Sequence, residues 1–249
     1  MIWVSHRGES CDAPENTREA FALSRERQTD AMECDIQLTK DLFLVTCHDS
    51  NTLRVSGKEH IIEETLFADL QKLDVSYGKK GYSSCRIPLF SDTLKELGEG
   101  RIYYVEIKEN DPRVIDSLIA ELEKAKIAPE QVVMISFHAD IVKLFKEKYP
   151  DRKTLFLTSF TVKQNGTWSP ASDELIEKLS FLKADGVDIH GNLTFITKEY
   201  VKNVKNAGFA FAVWTIDDET AAKKFIEYGV DAITSNCAAH LKNIFNGVK

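Results

Sequence analysis

Three carboxylates and two imidazoles carry the chemical content of this sequence. Glu33 and Asp35 stand two apart in Met32-Glu33-Cys34-Asp35-Ile36, and Glu106 and Lys108 stand two apart in Val105-Glu106-Ile107-Lys108. On an extended strand, residues two apart share a face, so each pair is directed to one side. Two carboxylates on one face repel each other unless a cation lies between them. Three converging carboxylates with one ammonium form the donor set of a hard divalent cation bound through oxygen, such as Ca²⁺ or Mg²⁺. The bland alternative is a set of structural ion pairs, or charges turned outward at strand ends. His6, in His6-Arg7-Gly8, and His48, in His48-Asp49, add groups that exchange protons near neutral pH. Beside a carboxylate cluster and an arginine they suit phosphoryl chemistry: one imidazole accepts a proton from a nucleophile and the other gives one to the leaving oxygen. Arg7 can fork onto phosphate oxygens, and Gly8 permits a sharp turn or a close backbone approach.

These groups need rigid elements to hold them. Eight short runs rich in β-branched and aromatic residues predict strands over Ile2–Ser5, Ala31–Gln37, Ile102–Lys108, Val132–Phe137, Thr154–Thr158, Gly186–His190, Ala210–Trp214 and Asp231–Ser235. Helical patterns fall between them. Val114, Ile115, Leu118, Ile119 and Leu122 make one apolar stripe, with Asp111 as N-cap and Pro112 at the first helical position. Asn16 and Glu19 read as the capping box of the first helix, and Gly208 and Gly229 close two later ones. Strands alternating with helices predict parallel pairing. Eight such units, with no glycine-rich nucleotide loop, predict a closed (β/α)₈ TIM barrel, one domain over residues 1–249. In such a barrel the ends of the strands carry the active site, and that is where His6, Glu33, Asp35 and Glu106 fall. Leu42–His48 and Thr52–Val55 read as a hairpin joined by Asp49-Ser50-Asn51, and Asp74 to Pro88 as an irregular insertion. Both lie between the second and third barrel strands.

Composition narrows the partners. The 249 residues carry a formal net charge of −7 and no dense Lys/Arg block, which argues against a nucleic-acid binder but not against a small phosphate ligand. No apolar run is long enough for a membrane span. Cys11, Cys34, Cys47, Cys85 and Cys237 are odd in number and scattered, so no disulfide framework is expected, and Cys34 and Cys47 read as buried thiols. With no leader visible, the chain as given reads as cytoplasmic; a periplasmic or secreted protein is the alternative. Oligomeric state is not legible. Trp168, in the loop Asn165–Pro170, would either close over a ligand or pack its own loop. His138 would cap a helix or line the pocket, and His190 would touch ligand or support the site.

Taken in order, the motifs resemble the glycerophosphodiester phosphodiesterase family over essentially the whole chain. His6-Arg7-Gly8 followed by Pro14-Glu15-Asn16-Thr17 is similar to that family's entry signature. Glu33-x-Asp35, His48-Asp49, Glu106-x-Lys108, Ser136-Phe137, Trp214-Thr215 and Gly229-Val230-Asp231 follow in the family's order. The resemblance implies a barrel, a divalent metal held by Glu33, Asp35 and Glu106, and acid–base roles for His6 and His48, without assigning which is which. It implies that Arg7 and Lys108 hold the phosphate of a small glycerophosphodiester and that Trp214 lines its glycerol or apolar side. Glu15 would orient Arg7 or contact the metal shell. One departure stands out: Thr234-Ser235-Asn236-Cys237 has a neutral Asn236 where many relatives are acidic, which bears on substrate preference. The rival readings are a phospholipase D-type barrel acting on lysophospholipids, with Phe90, Phe160 and Trp168 as an apolar rim, and a non-catalytic phosphate-ligand binder.

Overall fold

The computed structural model describes residues 1–76, 78–164 and 166–246. Tyr77 in the insertion and Asn165 ahead of Trp168 lie outside the described residues. The chain runs β1 (Ile2–Ser5), α1 (Arg18–Glu26), β2 (Ala31–Leu38), β3 (Leu44–Thr46), three short helices α2 (Leu53–Ser56), α3 (Phe67–Leu70) and α4 (Phe90–Thr93), and β4 (Ile102–Ile107). It continues through α5 (Pro112–Lys124), β5 (Val132–Ser136), α6 (Ala139–Lys148), β6 (Lys153–Thr158) and a small ribbon, β7 (Thr161–Val162) and β8 (Trp168–Ser169). The last units are α7 (Ser172–Leu182), β9 (Gly186–His190), α8 (Lys198–Asn206), β10 (Ala210–Trp214), α9 (Glu219–Tyr228), β11 (Ala232–Ser235) and α10 (Ala238–Asn246).

Eight of the strands close on themselves. In the order β1, β2, β4, β5, β6, β9, β10, β11 every neighbour is parallel, and β11 returns to β1. This is the expected (β/α)₈ barrel. The strand ends differ from the sequence reading by at most one residue.

Side chains alternate as the strand period demands. Val4, Ala31, Tyr104, Val133, Ile135, Leu155, Leu157, Ala212 and Ala232 fill the barrel interior. Their neighbours Trp3, Met32, Cys34, Tyr103, Val105, Met134, Phe211 and Ile233 face the helices. Glu33 and Asp35 therefore follow Ala31 on the inner face of β2, and Glu106 follows Tyr104 on that of β4. The pairing register sets Asp35 directly opposite Glu106.

Three local expectations need correction. Leu42–His48 forms a strand only over Leu44–Thr46, and its antiparallel partner is β2 itself, with Ile36 opposite Thr46. Thr52–Val55 is not a strand: Asn51 Oδ1 accepts the Leu53 N–H at 3.1 Å and starts the turn of α2, which Gly57 ends at φ 69°. A local side-chain bond to the backbone outcompetes the weak β preference of Thr and Val here. The first helix begins with Thr17 as its N-cap, accepting from Ala20 N at 3.3 Å, so no Asn16–Glu19 capping box forms. Asn16 sits at φ 55° with its amide committed elsewhere. The third correction concerns the cysteines: Cys11 and Cys237, 226 residues apart, form a disulfide between the β1–α1 and β11–α10 loops. Cys34, Cys47 and Cys85 are free and buried.

The insertion after β3 builds a small core of its own from Val45, Cys47, Ile62, Leu70, Leu73, Val75, Cys85 and Ile87. Asp74 gathers Ser76 and Ser84 through its carboxylate. Lys79 donates to the carbonyls of Ser10 and Cys11, tying the insertion to the loop that follows His6. Gly8 explains why that loop fits. It lies at φ 79°, and a Cβ there would come within 2.5 Å of the Ala20 backbone. Gly8→Ala is expected to cost at least ~2 kcal/mol in urea unfolding.

Candidate active site

At the C-terminal mouth of the barrel a cavity of about 160 Å³ is lined by His6, Arg7, Glu33, His48, Glu106, Ile135, Phe137, Leu157, Asp188, Trp214 and Thr234. Lys108 and Asp35 join the same constellation through ion pairs. Lys108 Nζ lies 2.7 Å from Glu106 Oε1 and 3.4 Å from Asp35 Oδ1. All of the residues singled out from sequence for this site are thus brought together.

Glu33, Asp35 and Glu106 each offer a carboxylate oxygen, and these atoms lie within 4.8 Å of one another. Burial disfavours the charge on each, and mutual repulsion adds to it. Glu33 is pushed well above the usual carboxylate range by burial and by Asp35, and Glu106 is pushed up to about 8 by burial and by Asp35. Burial also acts on Asp35, but Arg7, Lys108 and His48 outweigh it and hold that group low. With all three carboxyls ionised the cluster would carry more negative charge than Arg7 and Lys108 neutralise, and Asp35 Oδ1 has no hydrogen-bond partner among the described residues. That is the condition a hard, oxygen-bound divalent cation would relieve.

Arg7 is fixed from several sides. Its backbone N–H donates to Glu33 Oε2 at 2.9 Å, its Nε lies 3.1 Å from Asp35 Oδ2, and one terminal nitrogen donates to Glu15 at 2.9 Å. Its φ of 55° is the left-handed region that a non-glycine residue occupies only when its surroundings over-determine it. Glu15, whose role the sequence left open between two possibilities, orients Arg7. It also accepts both terminal nitrogens of Arg54 at 2.6 and 2.7 Å.

Each histidine has one ring nitrogen occupied. His6 Nδ1 lies 2.8 Å from Asn236 Oδ1. Ser10 Oγ donates to the same oxygen, and Asn236 Nδ2 donates to Asp217 at 2.6 Å, so the amide orientation is self-consistent. His48 Nδ1 lies 2.6 Å from Asp49 Oδ1, and Arg54 Nε donates to the other oxygen of Asp49 at 2.6 Å. Burial, reinforced by Arg7, lowers His6 to about 4. Burial also lowers His48, partly offset by Asp35.

Sequence reasoning missed Asn16, Arg54, Asp217, Asp188 and Thr234. Asn16 donates to Asp35 Oδ2 at 2.8 Å and accepts the Asp35 N–H at 3.2 Å. The family signature includes Asn16, but helix capping explained it equally well. Arg54 carried no local signal at all. The charge expected to be missing at Asn236 is supplied one step back by Asp217.

One member of the expected apolar rim is corrected. Phe90 is fully buried against Tyr103, while Phe160 and Trp168 pack with Phe195 and Tyr200. Trp168 therefore packs with Phe160 against the segment between β9 and α8 and against α8 itself. The cavity's aromatic wall is instead Trp214, with Phe137 edge-on at 5.7 Å and His190 at 5.2 Å. His138 makes no side-chain cap; its Nε2 meets the Lys108 carbonyl at 2.9 Å and steadies that loop.

A closed parallel barrel with carboxylates, cations and imidazoles gathered at one mouth defines the class of phosphodiester-cleaving barrel enzymes. The chain belongs to the Glycerophosphoryl diester phosphodiesterase family, whose model matches residues 6–239. It is 25% identical to a Glycerophosphodiester phosphodiesterase of Bacillus subtilis, over 95% of this chain and 83% of that one. It is 27% identical to one of Caldanaerobacter subterraneus, over 97% and 96%. Among solved structures, an Oleispira antarctica phosphodiesterase in complex with its product sn-glycerol-3-phosphate shares the fold, with a TM-score of 0.85 at 24% identity over 98% and 96%.

The lowered His6 has a consequence for stability. The unfolded imidazole takes its proton near 6.5 and the folded one only near 4. Between those values the unfolded state binds more protons, so stability is full above about pH 6.5 and is lost as pH falls toward 4. His6→Gln removes this contribution. The wild-type advantage over His6→Gln in urea unfolding is expected to shrink by roughly 3 kcal/mol from pH 7 to pH 4.

Proposed function

We propose that this chain is a divalent-metal-dependent hydrolase that cleaves glycerophosphodiesters to glycerol 3-phosphate and an alcohol such as choline or ethanolamine. The observation that carries the reading is the convergence of Glu33, Asp35 and Glu106 within 4.8 Å beside two cations and two imidazoles in one small cavity. Family membership and the names of its relatives support the same substrate class. The barrel is taken as the whole catalytic unit.

Glu33, Asp35 and Glu106 would hold Ca²⁺ or Mg²⁺, which when bound supplies a Lewis acid for a phosphate oxygen. Arg7 and Lys108 neutralise the phosphate and stabilise the charge that builds on it. His6 stays neutral beside Arg7. With its Nδ1–H held by the Asn236 amide, its Nε2 can take a proton from the attacking hydroxyl, which is water, or the substrate's own glycerol 2-hydroxyl to give a cyclic phosphate that water then opens to glycerol 3-phosphate. His48, where the Asp49 carboxylate at Nδ1 partly offsets the lowering by burial, takes the complementary role and delivers a proton to the departing alcohol. Trp214 stands against the carbon skeleton of the substrate. The Cys11–Cys237 disulfide supports an oxidising compartment over the cytoplasm. Among the described residues no helix is long and apolar enough to cross a membrane.

Metal-stripped protein is expected to release no glycerol 3-phosphate from glycerophosphocholine in a coupled assay, and to recover on addition of Ca²⁺ or Mg²⁺. His6→Ala and His48→Ala should each lower kcat by about 10²–10⁴ with the fold intact by circular dichroism at the assay temperature; near-normal turnover in both would overturn the mechanism. Lysophosphatidylcholine, run in parallel, should turn over more slowly, and a preference for it would favour the lipid reading.

A further inference from the structure

Two polar groups in the cavity have no part in the chemistry above. Asp188, on the inner face of β9, is 1% exposed, and its Oδ1 has no hydrogen-bond partner among the described residues. Thr234, on the inner face of β11, is 2% exposed, and its Oγ1 likewise has none. Both line the same cavity as His6, Arg7, Glu33 and Glu106.

Their placement gives them a common space. In the closed sheet β10 lies between β9 and β11, and its register sets Ala212 beside both Asp188 and Ala232. Two methyl-sized side chains on the inner face leave room between Asp188 and Thr234, which sits two residues beyond Ala232. Trp214, two residues beyond Ala212, donates its indole N–H to the Asp188 carbonyl at 3.2 Å, so the indole stands over this side. Leu157, opposite Asp188 on β6, supplies an apolar wall. This side of the mouth lies across the barrel from β2 and β4, which carry the carboxylate cluster.

The chemistry of the pair selects the ligand. Among the described residues no cation pairs with Asp188, and burial alone pushes its carboxyl up to about 7. A carboxyl so poorly charged suits hydroxyl groups better than an ammonium. A threonine hydroxyl both donates and accepts. Buried polar groups without protein partners are normally satisfied by something else, and two of them spaced along a small apolar wall match a short polyol.

We propose that Asp188 and Thr234 form a hydroxyl-recognition subsite for the glycerol half of the phosphodiester, and so determine specificity without touching the reacting phosphorus. This rests on the function proposed above.

The test compares inhibition of glycerophosphocholine hydrolysis by glycerol 3-phosphate and by propyl phosphate, which keeps the three-carbon chain and the phosphate but lacks the hydroxyls. The wild type should bind glycerol 3-phosphate about tenfold or more tightly than propyl phosphate. Thr234→Val and Asp188→Leu should each bring that ratio toward unity and raise KM for glycerophosphocholine, with propyl phosphate inhibition unchanged within about twofold. Asp188→Asn, which keeps an acceptor, should retain most of the discrimination. Thr234→Val preserves shape and decides the matter even if Asp188→Leu does not fold. A ratio unchanged in Thr234→Val, or both phosphates weakened equally, overturns the subsite while leaving the proposed function standing. A wild type with no activity on glycerophosphocholine under either metal overturns the function, and the subsite with it.

Discussion

Glu33, Asp35 and Glu106 repel one another, and much of the mouth of this barrel is arranged around that repulsion. The parallel register of β2 and β4 leaves no freedom in the matter, because it sets Asp35 directly opposite Glu106. Two of the three carboxyls respond by rising well above their ordinary range, and the third is held down only by cations at its side. From Asp35 a line of alternating charge runs outward through Arg7, Glu15, Arg54 and Asp49 to His48. Two of the links, Asp35 to Arg7 and Glu15 to Arg54, join different stretches of chain, so β2, the loop after β1 and the segment after β3 are positioned by the same electrostatic demand. At the buried inner end, removing Arg7 would leave the Asp35 charge uncompensated, which is more costly than the pair itself is worth.

The two histidines show how one environment produces two characters. Both are buried enough to be driven toward neutrality, yet one leans on an amide and the other on a carboxylate. The difference lies in the partners of Nδ1, not in the imidazoles. Arg7 contributes as well, since the strained backbone that lets it contact three acidic side chains also sets its charge next to His6.

The sequence disclosed the barrel well because its strands are buried on both faces and end close to residues with unmistakable chemistry. Glu33-x-Asp35 and Glu106-x-Lys108 could be read as inward pairs from a period of two, and the register then made neighbours of them. What stayed hidden depended on contacts between distant segments. Arg54 looks like any exposed arginine until Glu15, 39 residues earlier, is brought to it. Asp188 reads as one polar residue in a short apolar strand, and only closure of the sheet reveals that its Oδ1 has no hydrogen-bond partner among the described residues. Thr52–Val55 failed for the opposite reason: a single Asn side chain made a short-range bond that overrode propensity. Asn16 fitted a helix cap so well locally that its true commitment, to Asp35, was masked.

The disulfide between Cys11 and Cys237 lies beside the seam where β1 meets β11, the first and last strands of the barrel. A barrel is closed there only by backbone hydrogen bonds and packing, and this is where chain ends would be free to peel away. The bond turns nearly the whole chain into a covalent ring. A protease that cuts one exposed loop anywhere between those two cysteines leaves a single molecule, with both fragments still tethered and the opposite strands still paired. A first cut in such a loop therefore releases no part of the barrel from the rest.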